Sequence, residues 1–141
     1  MPTHRGEIVL PGGKVQPELD ATPLHTALRE AEEEVGIRPA DVEVVAELDW
    51  ITTVGSRFTI APFVGLLPHR PALAPNPAEV VKVLVTPLAE LLADHTFREE
   101  LWDLGLPDRS IIFYDLPDET VWGATARILT GFLSRLLALR G

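Results

Sequence analysis

Pro11-Gly12-Gly13, followed by a strongly marked helix, limits what this chain can build. The tripeptide joins a residue of fixed φ to two of almost unrestricted backbone, so it predicts a turn. A polar loop over 14–21 follows, with Pro17 and Asp20 in it. A helix is then predicted from Thr22, a good N-cap, with Pro23 at the first helical position. Leu24, Ala27, Leu28, Ala31 and Val35 recur at helical spacing as one apolar stripe, and Gly36 supplies the C-terminal stop. The same helix carries Glu30, Glu32, Glu33 and Glu34. At about 100° per residue, Glu30, Glu33 and Glu34 share a face away from that stripe.

Like charges packed this way cost stability unless something positive binds them. Arg29 is one such neighbour, but a single guanidinium cannot compensate every carboxylate. A hard divalent cation would, since Mg²⁺ prefers carboxylate oxygen and water and commonly bridges to substrate phosphates. The Gly12-Gly13 backbone, free of side chains, can approach a ligand closely, and its carbonyl can join a metal shell. Loop and helix would then face each other across one site. Taken alone, a Glu-rich helix face is ordinarily a solvated one; the specificity lies in strand, Pro-Gly-Gly, polar loop and capped acidic helix together.

The 141 residues suit one domain, 1–141, and 46% hydrophobic composition is enough for a buried core. The net charge of −9 argues against nucleic-acid backbones as partners. A polyanionic small molecule remains compatible if a cation stands between it and the protein. There is no cysteine, so disulfides, thiolate metal sites and cysteine nucleophiles are excluded. His4, His25, His69 and His95 fit no zinc spacing, and His25 is expected to be exposed on the acidic helix. No signal peptide and no membrane span is expected, and the location that fits is the cytoplasm.

Strands are predicted over 6–10, 42–50, 57–67, 80–85 and 110–116, with a polar turn at Thr52, Thr53 and Gly55. The proline-rich run 68–78 reads as a surface loop. A short helix is predicted over 87–93 and a long one over 120–139. The buried side of the long helix would hold Ala124, Ile128, Leu129, Phe132, Leu133, Leu136 and Leu137. The fold class is α+β.

Residues 13–37 resemble the Nudix box, in which a glycine, five residues, Glu and seven residues precede Arg-Glu-apolar-x-Glu-Glu-x-Gly-apolar. Arg29-Glu30-Ala31-Glu32-Glu33-Glu34-Val35-Gly36-Ile37 matches the second half fully. The first half departs: the family's first Glu falls near Leu19 or Ala21, and Asp20 is the candidate to replace it. This lengthened form is similar to the coenzyme A pyrophosphatase branch. Further similarity to that branch comes from Pro2-Thr3-His4-x-Gly6, Ala61-Pro62-Phe63-Val64-Gly65, Asn76-Pro77-x-Glu79-Val80 and Trp122-Gly123-x-Thr125-Ala126-Arg127-Ile128-Leu129. The resemblance implies an α/β/α sandwich around a mixed sheet. Its N-terminal strands would be lacking here, because Met1 stands where they should be running: either the domain is truncated and its true start lies upstream, or the chain is a short form, or a partner supplies the strands, or they are absent and leave an open sheet edge that invites pairing, as in a homodimer.

The resemblance also implies site roles. Glu33 and Glu34 would bind Mg²⁺ or Mn²⁺ directly, and Glu30 would bind metal or deprotonate the attacking water. Arg29 would pair with a helix carboxylate or with Asp20 to hold the loop on the helix. The Gly12 carbonyl is a candidate metal ligand. Glu79 is either a further metal-binding or basic carboxylate or a plain exposed loop residue. Lys14 either touches substrate phosphate or is a solvated loop lysine. Phe58 and Trp50 are candidate substrate contacts, whereas Trp122 reads as a core or helix-start anchor. The implied reaction is hydrolysis of a diphosphate linkage in a nucleoside-diphosphate derivative, with coenzyme A giving 4′-phosphopantetheine and adenosine 3′,5′-bisphosphate. ADP-ribose or a dinucleotide as substrate stays open. So do a domain that binds nucleotide or protein without turnover and a generic α+β domain with an acidic helix.

Overall fold

The computed structural model describes residues 8–53, 58–101 and 110–140, which form two compact units. The first, Leu10–Leu84, contains the acidic helix α1 (Pro23–Val35) and a 3₁₀ turn (Pro39–Asp41). Four short strands follow: β1 (Glu43–Glu47), β2 (Ile51–Thr52), β3 (Thr59–Ile60) and β4 (Phe63–Leu66). β1 pairs with β4 and β2 with β3, both antiparallel. The register of the first pair slips between Val44 and Ala46, so β1 carries one extra residue there.

α1 forms where the sequence places it. Thr22 is extended, and its Oγ1 accepts a hydrogen bond from the His25 N–H at 3.2 Å. Gly36 ends the helix at φ 76°, a left-handed conformation that glycine adopts without steric cost. The proline-rich loop then returns to the helix end. The Ala74 N–H reaches the Val35 carbonyl, and the Asn76 N–H reaches the Glu34 carbonyl, both at 2.9 Å. These two bonds satisfy acceptors that a helix C-terminus otherwise leaves to water. Val35 is buried, while Leu24, Ala27, Leu28 and Ala31 are half-buried.

The second unit contains α2 (Leu88–Leu91), β5 (Phe97–Leu101), β6 (Ser110–Asp115), β7 (Thr120–Trp122) and α3 (Gly123–Arg140). The three strands form an antiparallel sheet in sequence order. Its core is Leu91, Tyr114, Val121, Ala126 and Leu133, with Ile8, Ile112, Leu116, Leu129, Phe132 and Leu136 packed around it. The Thr130 hydroxyl donates to the Ala126 carbonyl at 2.9 Å, so Tyr114 Oη–H donates to Thr130 Oγ1 at 2.7 Å. That bond satisfies the polar end of a buried ring.

The α+β class holds, and several element boundaries differ from expectation. Every strand pair among the described residues is antiparallel, so no parallel partner of a mixed sheet is among them. Residues 8–10 carry no strand, and 6–7 lie outside the described residues, as do Gly55 of the polar turn and Arg57. The single strand expected over 42–50 is shorter and stops at Glu47. The one over 57–67 breaks at Ala61-Pro62, because proline has no N–H for a ladder; the Pro62 carbonyl instead accepts from the Leu48 N–H. Residues 80–85 form no strand: no described strand pairs with them, and an apolar run alone cannot satisfy its backbone groups.

β5 was not anticipated, because Arg98, Glu99 and Glu100 disguise its alternation. Thr120, Val121 and Trp122 join the sheet instead of opening the last helix, consistent with their β-branched and aromatic side chains. Trp122 is correspondingly neither core nor helix anchor: it is 53% exposed and stacks on Phe113. On α3, Leu137 is exposed and Ala126 takes a buried place. No helix among the described residues is long and apolar enough to cross a membrane.

Candidate active site

The polar loop is held to α1 by one aspartate. Asp20 is buried, and its carboxylate accepts from four donors. Arg29 Nε and Nη2 reach it at 2.8 and 3.0 Å, the Gln16 N–H at 2.8 Å and Thr26 Oγ1 at 2.9 Å. The Leu19 and Asp20 N–H groups both turn back to the Gln16 carbonyl, closing the loop at Pro17-Glu18-Leu19. The Arg29 hydrogen bonds hold the Asp20 carboxyl far below the usual aspartate range against the opposing effect of burial, and Asp20 in turn raises Arg29. The expected replacement of the missing Glu by Asp20 thus has a structural basis: a shorter acid on a longer loop still reaches the arginine.

Arg29 distributes its remaining N–H groups along the acidic face. Nη1 reaches Glu30 Oε1 and both Glu33 carboxylate oxygens, each at 3.2 Å. Glu34 turns the other way, and its Oε1 accepts from the Gly12 N–H at 2.9 Å. Gly13 lies against Glu30 so closely that a Cβ there would stand 2.6 Å from the Glu30 carboxyl carbon, so only glycine fits without displacing that side chain. Loop and helix therefore do face each other, as the sequence suggested. The group of Gly12 seen in contact is its N–H, on Glu34, whereas the carbonyl was the expected donor to a metal.

Glu34 is held above the ordinary glutamate range, chiefly by partial burial. The Gly12 N–H opposes that, and the charges of Glu30, Glu79 and Glu33 add to it. Glu79 thus belongs to the same field of negative charge, brought there by the turn 77–79 at the end of the proline-rich loop. Lys14 and Phe58 meet each other: Lys14 Nζ lies 4.7 Å from the centre of the half-exposed Phe58 ring, which ties the Gly-Gly loop to β3. Trp50 is exposed, and its Nε1 donates to Glu47 at 2.6 Å. A cleft of about 330 Å³ opens beyond the C-terminal end of α1, lined by Ile37, Arg38, Leu67 and His69 among others, and it contains none of the expected site residues.

The side chains suit a hard divalent cation by chemistry: four carboxylates in one field, one of them partly buried and destabilised as an anion by the others. Their present directions do not yet make a cage. Among the described residues, no three acidic or histidine side chains surround a common point; Arg29 and Gly12 hold the carboxylates instead.

Two residues that organise this region were given no role from the sequence. Thr26 sits among the apolar positions of α1, where a threonine reads as tolerated filler; its buried hydroxyl binds Asp20. Asn76 precedes Pro77, a pair that signals a side-chain-closed turn, and it bonds to both α1 and Glu79.

Comparison with known proteins agrees with this geometry. Residues 2–104 match the NUDIX domain family model. The chain is 42% identical over 133 residues to Nudix hydrolase 22, chloroplastic, of Arabidopsis thaliana, covering 90% of this chain and 43% of that protein. It is 37% identical to Nudix hydrolase 15, mitochondrial, of the same plant, covering 90% and 46%. It is 36% identical over 127 residues to the uncharacterized Nudix hydrolase NudL of Photorhabdus laumondii, covering 90% and 67%. The chain therefore spans under half the length of the two plant relatives and about two thirds of the bacterial one. With the family model matching most of its length and the loop–helix assembled as described, this chain belongs to the Nudix family.

Proposed function

We propose that this chain, as a single Nudix domain over 1–141, hydrolyses the diphosphate linkage of a nucleoside-diphosphate derivative with Mg²⁺ or Mn²⁺, and that its substrate is coenzyme A. The observation that carries the reading is that Glu34 and Glu30 meet the Gly12-Gly13 backbone while the charges of Glu33 and Glu79 act on the same Glu34 carboxylate. The coenzyme A branch is supported by the lengthened loop, whose Asp20 restores the link to Arg29.

Glu33, Glu34 and Glu79, with the Gly12 carbonyl, would hold the metal, and Glu30 joins them or serves as the base. A bound divalent cation supplies neutralisation of phosphate oxygens and activation of water at neutral pH. A water oxygen attacks one phosphorus, the bond from that phosphorus to the bridging oxygen breaks, and the bridging oxygen leaves on the other product. The proton released by the water passes to a carboxylate, for which Glu30, lying against Gly13, is well placed. Arg29, anchored by Asp20, positions Glu30 and Glu33 rather than touching substrate. Lys14, whose ammonium lies over the Phe58 ring, would offer its charge to a phosphate, and Phe58 the exposed part of its ring to the substrate.

The test is to incubate the protein with coenzyme A, ADP-ribose and a dinucleoside polyphosphate, with and without Mn²⁺, and resolve the products. The expected result is Mn²⁺-dependent formation of 4′-phosphopantetheine and adenosine 3′,5′-bisphosphate, lost in Glu33→Gln. Preferential cleavage of ADP-ribose or the dinucleotide overturns the substrate assignment. Tight nucleotide binding without turnover overturns the enzyme assignment.

A further inference from the structure

We propose that Asn76 is a positioning residue that ties Glu79 to the acidic face of α1. This rests on the reading of that face as a metal site. The argument begins with how many groups of one residue are committed. The Asn76 N–H donates to the Glu34 carbonyl at 2.9 Å, so the turn starts from the main chain of a site acid. The Asn76 carbonyl accepts from the N–H groups of Glu79 at 3.0 Å and Val80 at 2.8 Å. Its side-chain Oδ1 accepts from the Ala78 N–H at 3.1 Å, and its Nδ2 donates to Glu79 Oε2 at 3.4 Å.

The direction of the amide follows from this network. A backbone N–H at Ala78 must meet oxygen, which leaves the NH₂ group facing the carboxylate. An ordinary asparagine-closed turn needs only the Oδ1 bond, and aspartate would serve there as well. Aspartate, however, would set another carboxylate against Glu79, beside a field that already contains Glu30, Glu33 and Glu34. The neutral amide closes the same turn and also donates to the acid. Pro77 restricts Asn76 to extended backbone and fixes its own φ, which stiffens the turn between the two contacts. Glu34 is thereby held twice, by its side chain on Gly12 and by its carbonyl on Asn76, and Glu79 is held at one remove from it.

The experiment is a double-mutant cycle read by Mn²⁺ affinity, measured by water-proton relaxation with Mn²⁺ alone and no substrate. Asn76→Ser keeps an oxygen that can accept from Ala78, adds no charge, and removes the Nδ2 amide that reaches Glu79, on a side chain one atom shorter. It should weaken Mn²⁺ binding roughly 10-fold, as loss of an outer hydrogen-bond partner does. In a Glu79→Ala background, the same Asn76→Ser change should alter affinity by less than about twofold, because nothing is left for it to act through. A full additional loss in that background overturns the proposal, since Asn76 would then act only on the fold. Glu33→Gln separates the two readings. If it weakens Mn²⁺ binding and Glu79→Ala does not, the inference falls and the metal site stands. If neither variant changes the affinity, both fall. Should Asn76→Ser not fold, the Asn76 side-chain amide resonances are compared between the native protein and Glu79→Ala, which alters an exposed side chain. A shift of those resonances supports the contact, and unchanged resonances overturn it.

Discussion

Each compact unit contains an arginine that reaches an aspartate well along the chain, nine residues away in the first and 17 in the second, and the two pairs are built differently. Arg29–Asp20 lies in the loop–helix, with side-chain exposures of 14% and 0%; Arg98–Asp115 lies on the second unit's sheet, with 41% and 35%. Asp20 also takes the Thr26 hydroxyl and the Gln16 N–H. Among the described residues the Asp115 carboxylate takes Thr120 in addition to its arginine, and Arg98 is shared with Glu100 and rests over the Phe113 ring. The rest of each unit follows the same division. The second has a continuous apolar core under its sheet, whereas around α1 the residues with the least exposure include Asp20 and Thr26. A polar lock fixes direction as well as proximity, which a site needs; an apolar core tolerates more variation but resists solvent conditions better.

This contrast can be broken first at its apolar end. Leu133→Ala removes a side chain that is 5% exposed and should destabilise the second unit by about 2–5 kcal/mol. Denaturant titration followed by far-ultraviolet circular dichroism should give the same loss at low and high salt and at pH 7 and 5. A strongly salt-dependent loss would contradict an apolar origin.

Asp20→Asn comes next and should behave differently. Because Arg29 depresses the folded-state value of Asp20, the folded form stays ionised where the unfolded chain takes up a proton. The stability from Asp20 is therefore complete above the ordinary aspartate range, about pH 4, and is lost as pH falls from there toward the folded-state value. Thermal melts should show a clear gap between native and Asp20→Asn at pH 7 that narrows on acidification. A gap of constant size would remove the ion pair from the explanation. The variant should also lose activity, because Arg29 would no longer be held over Glu30 and Glu33.

Asp115→Asn should have the smallest effect of the three. Its carboxyl is lowered in the same direction by Arg98, but both partners are solvated. The gap in melting temperature should be slight at low salt and close to nothing at about 1 M NaCl, where screening acts within ~3 Å. A larger effect than Asp20→Asn would invert the comparison.

Some of this was legible from residues alone. α1 was placed to its ends because Thr22, Pro23 and Gly36 are local signals that act on the nearest turn of backbone. The sharing of a face by Glu30, Glu33 and Glu34 follows from helical spacing, whereas the packing of Gly13 against Glu30 was not read from the Gly12-Gly13 pair, which was expected to approach a ligand. β5 and β7 were misread because strand formation is decided by a partner strand far along the chain. Arg98 is acceptable on β5 once Phe113 and Asp115 stand beside it on β6, and Glu100 once Arg98 pairs with it. The strand expected over 80–85 failed for the complementary reason: its apolar residues found no such partner among the described strands.

The sequence by itself determined the acidic helix, its caps and the family they mark, since the caps and the helix depend on contacts within a few residues; at the expected Pro-Gly-Gly turn the structure has a bend at Pro11 and no turn over Gly12-Gly13. Only the tertiary structure decided where the carboxylates point. It gave Glu34 to the Gly12 N–H, Glu30 and Glu33 to Arg29, and Glu79 to Asn76. A side chain's direction depends on which donor comes within hydrogen-bond reach: Arg29, one and four residues from Glu30 and Glu33, stands on the helix itself, whereas the Gly12 N–H, 22 residues from Glu34, and the Asn76 amide, 3 residues from Glu79, are brought there by the folding of the loops.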